Sequence, residues 1–449
     1  MRTKRRTLGI FTAAWLCLFL VGIAQAGDRL DPSFGTGGFV ETPVGKFDSG
    51  PEAPNIWDLA ADGDGMVGAL ADLTKNQDYF GLVRYRATGS LDTAFGEEGF
   101  TPPLAAEGIG AAQTQAVVVQ PTGRIVAAGF RTDIDTQRPL LAGYRPDGSL
   151  DPSFGVGGLV APKGRAGRGS RAFHDLAVRP DRGLIAVGSK DEHPINISWN
   201  HPAGVVAAFT PDGRIDRSFG KRGHVFFPAR GDEREYTGLR SVQVLPDGRI
   251  LVAGFHYGSL FIARLRPNGH LDRSFGGGDG KIVKLVGSRR YGCFKTCWVS
   301  SPMAIQPDGS IVVLAATFPD VPVLLRFHPN GGLDRSFGRD GQVRVKLEGD
   351  RLQLFGLGLQ GDRIVLTGWD EATRRELHFT VLRYLSDGSR DLGFGTEGVV
   401  IRTDEPFSGA FATLAQPEGR LVVGGGGQDK AEGDPFYSSS LLLARYLPD

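Results

Sequence analysis

Charge of one sign, sulfur and long apolar runs are all scarce in this chain of 449 residues. It has 51 Lys and Arg against 50 Asp and Glu, a formal net charge of +1. That balance excludes the one-signed field with which a protein tracks nucleic acid or an acidic membrane. There are three cysteines, and Cys17 sits inside an apolar N-terminal stretch. Cys293 and Cys297 are too few for a structural zinc site and, in an exported chain, are expected to form a local disulfide. No H-E-x-x-H and no G-x-S-x-G occurs. The apolar run Ile10–Ile23 is too short for a lasting membrane helix, and no other run is long enough to span a bilayer.

That run has the setting of a secretory signal. Lys4, Arg5 and Arg6 precede it, and Ala24-Gln25-Ala26 follows as a small-x-small cleavage site. Cleavage is expected after Ala26, leaving residues 27–449 as one domain with no membrane span. Arg5-Arg6 leaves a twin-arginine route open beside the general one.

What the chain has in abundance is glycine, 66 residues, and a repeated phrase. Leu30-Asp31-Pro32-Ser33-Phe34-Gly35 returns in six further copies starting at Leu91, Leu150, Ile215, Leu271, Leu333 and Arg390, a period near 60 residues. In the unit from Ile215, the phrase leads to short apolar segments at 224–227, 239–245, 249–254 and 260–265. The Pro246-Asp247-Gly248 and Pro267-Asn268-Gly269 turns punctuate them. The segments are β-branched and lack a helical period. Four short strands in seven units predict an all-β, seven-bladed β-propeller of four-stranded antiparallel blades. The segment near Gly38–Thr42 is expected to close it by pairing with the last unit, about Phe411 to Tyr446. Phe34, Phe95, Phe154, Phe219, Phe275, Phe337 and Phe394 are expected to pack between blades. The phrase Asp is expected to accept backbone N–H bonds in a turn.

The phrase L-D-x-S-F-G, its preceding turn (Leu265-Arg266-Pro267-Asn268-Gly269) and the Gln306-Pro307-Asp308-Gly309 hairpin resemble the delta-60 repeat proteins. The pattern degrades at Arg390-Asp391-Leu392-Gly393, and the turn at Asp62-Gly63-Asp64-Gly65 lacks proline. The resemblance implies a bacterial, exported β-propeller, periplasmic or secreted, and brings no catalytic residue with it.

Because the phrase recurs in every unit, function is sought where units differ. Length variation gathers in the blade-to-blade links and the loops between second and third strands, on one face of the expected propeller. Arg165, Arg168, Arg171, Arg289 and Arg290 make a basic sector on the middle links. His193, Trp199 and His201 fall in the longest loop, 189–204. At the channel mouth, innermost strands begin near Asp58, Gln115, Asp175, Arg240 and Ser301, with His174 beside Asp175. Ala116, Pro302, Gly356 and Ala412 stand in other units where Asp58 and Asp175 stand, so three converging metal ligands are not assured. Gly356-x-Gly358-x-x-Gly361 runs from a strand into a hairpin and lacks the helix a dinucleotide needs.

The expectation is a non-catalytic binding scaffold, monomeric and without cofactor, taking a protein or anionic glycan through Arg165, Arg168, Arg171, His174, Asp175, His193, Trp199, His201, Arg240, Arg289 and Arg290. The alternative is a lactonase-like hydrolase or lyase with a metal or histidine at the channel mouth.

Overall fold

The structure is a computed structural model and describes residues 29–47, 54–71, 80–104, 112–133, 136–161, 171–191, 202–227, 237–256, 259–286, 302–315, 321–347, 351–373, 376–403, 407–429 and 437–448. It is a β-propeller. Strand β1 (Phe39–Phe47) comes first, and a three-stranded sheet follows, β2 (Asn55–Asp62), β3 (Gly65–Ala71) and β4 (Gly81–Tyr85). The second sheet holds β5 (Ala112–Val119), β6 (Ile125–Asp133), β7 (Thr136–Tyr144) and β8 (Leu159–Val160). The third holds β9 (Arg171–Val178), β10 (Leu184–Asp191), β11 (Pro202–Phe209) and β12 (His224–Phe227). The fourth holds β13 (Thr237–Val244), β14 (Ile250–His256), β15 (Ser259–Leu265) and β16 (Lys281–Leu285). The fifth holds β17 (Met303–Ile305), β18 (Ile311–Ala315), β19 (Val323–Phe327) and β20 (Gln342–Arg344). The last sheet has eight strands. It joins β21 (Arg351–Gln360), β22 (Arg363–Thr373), β23 (Glu376–Tyr384) and β24 (Val399–Arg402) to β25 (Phe407–Ala415), β26 (Leu421–Asp429), β27 (Tyr437–Tyr446) and β1.

Seven like four-stranded blades, expected from the repeat count, are therefore not what the hydrogen bonding gives. Among the described residues there are six sheets, and only four of them have four strands. Two local causes account for the difference. A parallel pairing of Leu377 with Phe407 fuses β23 to β25. In the first sheet the outer strand shrinks to the bridge Val83–Phe100, because Thr101 is followed by Pro102 and Pro103, which have no N–H to extend a ladder. Repeat number thus counts the phrases, not the sheets.

The pairing of the N-terminal strand is found as expected. β1 runs antiparallel to β27, from Phe39 opposite Ala444 to Phe47 opposite Tyr437. Successive sheets pack through apolar clusters, such as Val67, Leu82 and Phe95 against Ala112, Val117 and Ile125. The cluster of Ile56, Met66 and Leu70 with Val422, Leu441 and Leu443 carries the packing back from the last sheet to the first.

The recurring phrase builds the joint between neighbours. Asp272 Oδ1 accepts from the backbone N–H of Ser274 at 3.1 Å and from its hydroxyl at 2.7 Å, as expected of a turn aspartate. Its Oδ2 accepts from Arg264 Nε at 2.7 Å, and the same guanidinium lies 4.8 Å from the Phe275 ring. Arg264 also reaches the carbonyl of Pro329, in the next unit's turn, and Gly276 N–H donates to Asn330. Phe275 is fully buried against Gly331 of that turn, where a Cβ would lie 2.9 Å from the ring. The same arginine–aspartate pair recurs at Arg84–Asp92, Arg326–Asp334, Arg383–Asp391 and Arg445–Asp31. In the second and third sheets Gly143 and Ala208 replace the strand arginine, and Arg124 and Arg179 supply the guanidinium to Asp151 and Asp216 instead.

Candidate functional site

The innermost strands β2, β5, β9, β13, β17, β21 and β25 surround a central channel, and their residues line a cavity of 1210 Å³. Six of these strands carry the same irregularity. The pairing skips one residue between Ile56 and Asp58, between Thr114 and Ala116, opposite Val187/Gly188, between Leu239 and Ser241, between Leu354 and Gly356, and between Ala410 and Ala412. The skipped residues are Trp57, Gln115, His174, Arg240, Phe355 and Phe411. A β-bulge re-aims its extra residue, and here all six line the cavity.

The bulges divide the wall into two kinds. Strands β21, β25 and β2 bring Phe355, Phe411 and Trp57, joined by Trp369 from β22. Trp57 lies 4.7 Å from Phe411, Phe355 4.6 Å from Trp369 and 5.3 Å from Phe411, ring centre to ring centre. They form one aromatic surface. Strands β5, β9 and β13 bring Gln115, His174 and Arg240. Arg240 Nη1 donates to His174 Nδ1 at 2.8 Å, and His174 Nε2 is 3.4 Å from Ser189 Oγ. An arginine has no acceptor, so His174 Nδ1 carries a lone pair and the ring is the neutral Nε2–H tautomer. Burial, and then the charge of Arg240, hold the His174 pKa well below 6.5.

Arg240 differs from the other deep arginines. Arg84, Arg264, Arg326, Arg383 and Arg445 each meet a phrase aspartate. Arg240 has no ion pair among the described residues. It meets a neutral imidazole and lies 5.8 Å from the Phe255 ring. Burial draws its pKa down to about 10, still cationic at neutral pH.

The two carboxylates at the mouth are committed to the backbone. Asp58 Oδ1 accepts from Leu59 N–H at 2.9 Å and Oδ2 from Val117 N–H at 2.8 Å, which ties β2 to β5. Asp175 does the same for Leu176 and Val242, both at 2.7 Å, tying β9 to β13. Burial raises both groups, Asp58 to about 6 and Asp175 to about 8, the latter also through the charge of Asp58.

Of the residues proposed from sequence, His174, Asp175 and Arg240 meet here, with Asp175 acting as a strand tie. Arg240 lines the channel cavity from β13. Arg171 lies at the start of β9. Arg165, Arg168, His193, Trp199, His201, Arg289, Arg290, Cys293 and Cys297 lie outside the described residues. Gly356, Gly358 and Gly361 sit on β21 and the hairpin into β22, with no helix following. Among the described residues no group of three or more His, Cys, Asp and Glu could hold a metal ion, and no helix is long and apolar enough to cross a membrane.

Sequence reasoning missed the aromatic wall, although its signal was present. Aligning the units on Asp58 and Asp175 is correct, but the channel residue is the one before, where the bulge falls. Read there, the units give Trp57, Gln115, His174, Arg240, Phe355 and Phe411.

Three stretches, residues 120–154, 245–275 and 306–337, match a family described as a β-propeller domain of unknown function, DUF5122. Each runs from a hairpin turn to a phrase phenylalanine. No curated protein sequence matches the chain. Among solved structures, a periplasmic gluconolactonase of Pseudomonas aeruginosa, PpgL, is 14% identical over 78% of this chain and 86% of its own, with a TM-score of 0.49. A Lactobacillus plantarum protein is 12% identical over 88% and 96%, with a TM-score of 0.45. Sqt1 of Chaetomium thermophilum is 12% identical over 92% and 100%, with a TM-score of 0.41. Likenesses this distant carry no argument about activity.

Proposed function

We propose that the protein is an exported, non-catalytic member of the delta-60 repeat group that binds an anionic ligand in its central channel. The observation behind this reading is Arg240, a cation inside the channel with a neutral imidazole where a carboxylate would neutralise it. A partly buried charge is stabilised by a counter-charge beside it. The phrase arginines have that counter-charge within the fold, and Arg240 leaves it to a bound anion. His174 orients the guanidinium and adds no second charge. The hydrolase or lyase reading is the weaker one, because both carboxylates at the mouth already hold backbone N–H groups of neighbouring strands. Calorimetric titration of the purified protein with small carboxylates tests the reading. Binding that is lost in Arg240→Gln supports it, and equal binding by wild type and variant would remove it.

A further inference from the structure

We propose that the channel ligand is a sugar acid, a polyhydroxylated ring bearing one carboxylate, whose carboxylate meets Arg240 and whose ring lies on the Trp57–Phe411–Phe355–Trp369 wall. This rests on the anion-binding reading above and adds the class of ligand. Three features of the cavity carry it. Among its described lining residues Arg240 is the single Arg or Lys, and the carboxylates Asp58 and Asp175 beside it are held by backbone N–H groups, so the cavity can meet at most one negative charge with a cation and does not suit a phosphate dianion. With Nη1 engaged by His174, the rest of the planar guanidinium offers a fork that matches a carboxylate.

The second feature is the opposite wall. Four aromatic rings in mutual contact present electron-rich faces, against which the C–H face of a sugar ring packs and excludes water. The third is the polar part of the lining. It includes the side-chain amides Gln115, Gln243 and Gln428, whose Nε2 groups donate to Thr114 O, Met303 O and Ser439 Oγ, and an amide is a group that both donates and accepts. That combination matches hydroxyl groups, which also do both, and is wasted on an aliphatic or aromatic acid. The volume exceeds what one ring needs, so both a free sugar acid and the acidic end of a glycan fit the same chemistry.

The test is calorimetric titration of the whole protein with glucuronate, an oligogalacturonate, glucose and benzoate, alongside Trp fluorescence. Glucuronate should bind at least about tenfold more tightly than glucose or benzoate, the factor expected when a charged hydrogen bond or a set of hydroxyl bonds is absent. Arg240→Gln should bring glucuronate down to the affinity of glucose. Trp369→Leu should weaken glucuronate several-fold, with its unfolding transition compared with wild type; if that variant is unfolded, Phe355→Leu takes its place. Tighter binding of oligogalacturonate than of glucuronate assigns the site to a glycan, and the reverse to free sugar acids. Benzoate binding as well as glucuronate, still dependent on Arg240, would overturn the sugar and leave the anion site standing. No binding of any carboxylate would overturn both.

Discussion

Arg240 donates to Nδ1 of His174 across 2.8 Å, and the two side chains fix each other's chemistry. The guanidinium holds the histidine in its Nε2–H tautomer and, with burial, suppresses its protonation. ¹H–¹⁵N spectra of the imidazole should show that tautomer at pH 7 and a titration midpoint below 6.5. In Arg240→Gln the midpoint should move up, because the repelling charge is gone. An Nδ1–H tautomer in the wild type would contradict the assigned contact.

Asp175 gives the protein a pH-dependent stability of unusual sign. Its carboxyl is raised from 3.8 to about 8, so the native chain keeps a proton that the unfolded chain has released between those values. The stabilising contribution is complete below pH 3.8 and is lost as pH rises towards 8. Asp58, raised to about 6, adds to the slope over the lower part of that window. Urea midpoints from pH 5 to 8.5 should therefore fall with pH in the wild type. They should fall less in Asp175→Asn, above all beyond pH 6, where Asp58 no longer contributes. Parallel curves would show that Asp175 ionises normally.

The joint between sheets can be broken at one atom pair. Arg264 and Asp272 are 3% and 5% exposed, and removing the carboxylate strands the buried guanidinium. Asp272→Asn should cost about 3–5 kcal/mol in denaturant unfolding. Replacing the exposed Arg214, whose partner is Asp212, should cost about 1 kcal/mol or less. Equal costs would mean that the phrase salt bridge is ornamental.

Two glycines of one turn separate strain from crowding. Gly155 and Gly157 have φ of +57° and +62°. A Cβ on Gly157 meets nothing within 4 Å, whereas one on Gly155 would lie 2.2 Å from the Leu159 carbonyl oxygen. Gly157→Ala should cost about 1–2 kcal/mol, the left-handed penalty alone. Gly155→Ala should cost clearly more, and matched melting curves would refute the close approach.

Deleting residues 29–47 removes β1, and with it Phe34 and Asp31. The exposed edge of β27 and the opened cluster at Val422 and Leu443 should replace a single unfolding transition by a broad or multiple one. An unchanged cooperative transition would mean that the ring does not depend on this strand.

The strands, the turns and the pairing of β1 could be read from the sequence, because a turn such as Pro246-Asp247-Gly248 and a β-branched run each have local causes. The number of sheets could not. It depends on whether Leu377 meets Phe407 and on what Pro102 and Pro103 forbid, and a repeat count registers neither. The site was half legible. His174, Asp175 and Arg240 were flagged by their chemistry, but a bulge shifts by one residue which side chain enters the channel. Trp57, Phe355 and Phe411 look like ordinary core aromatics until that shift is known. The guanidinium partner of each phrase aspartate was equally hidden, although in five cases it lies on the third strand of its unit at a fixed register.

Asp31 and Arg445 meet across 414 residues of chain. A ribosome working at about 5–20 residues per second needs roughly 20–80 s to make that span. For all that time the first strand has no β27 to pair with, and its unsatisfied edge is the kind that joins to a stranger. The contact that holds the ring shut is thus also a timing constraint: whatever keeps the early segment solitary during synthesis determines how many chains close on themselves.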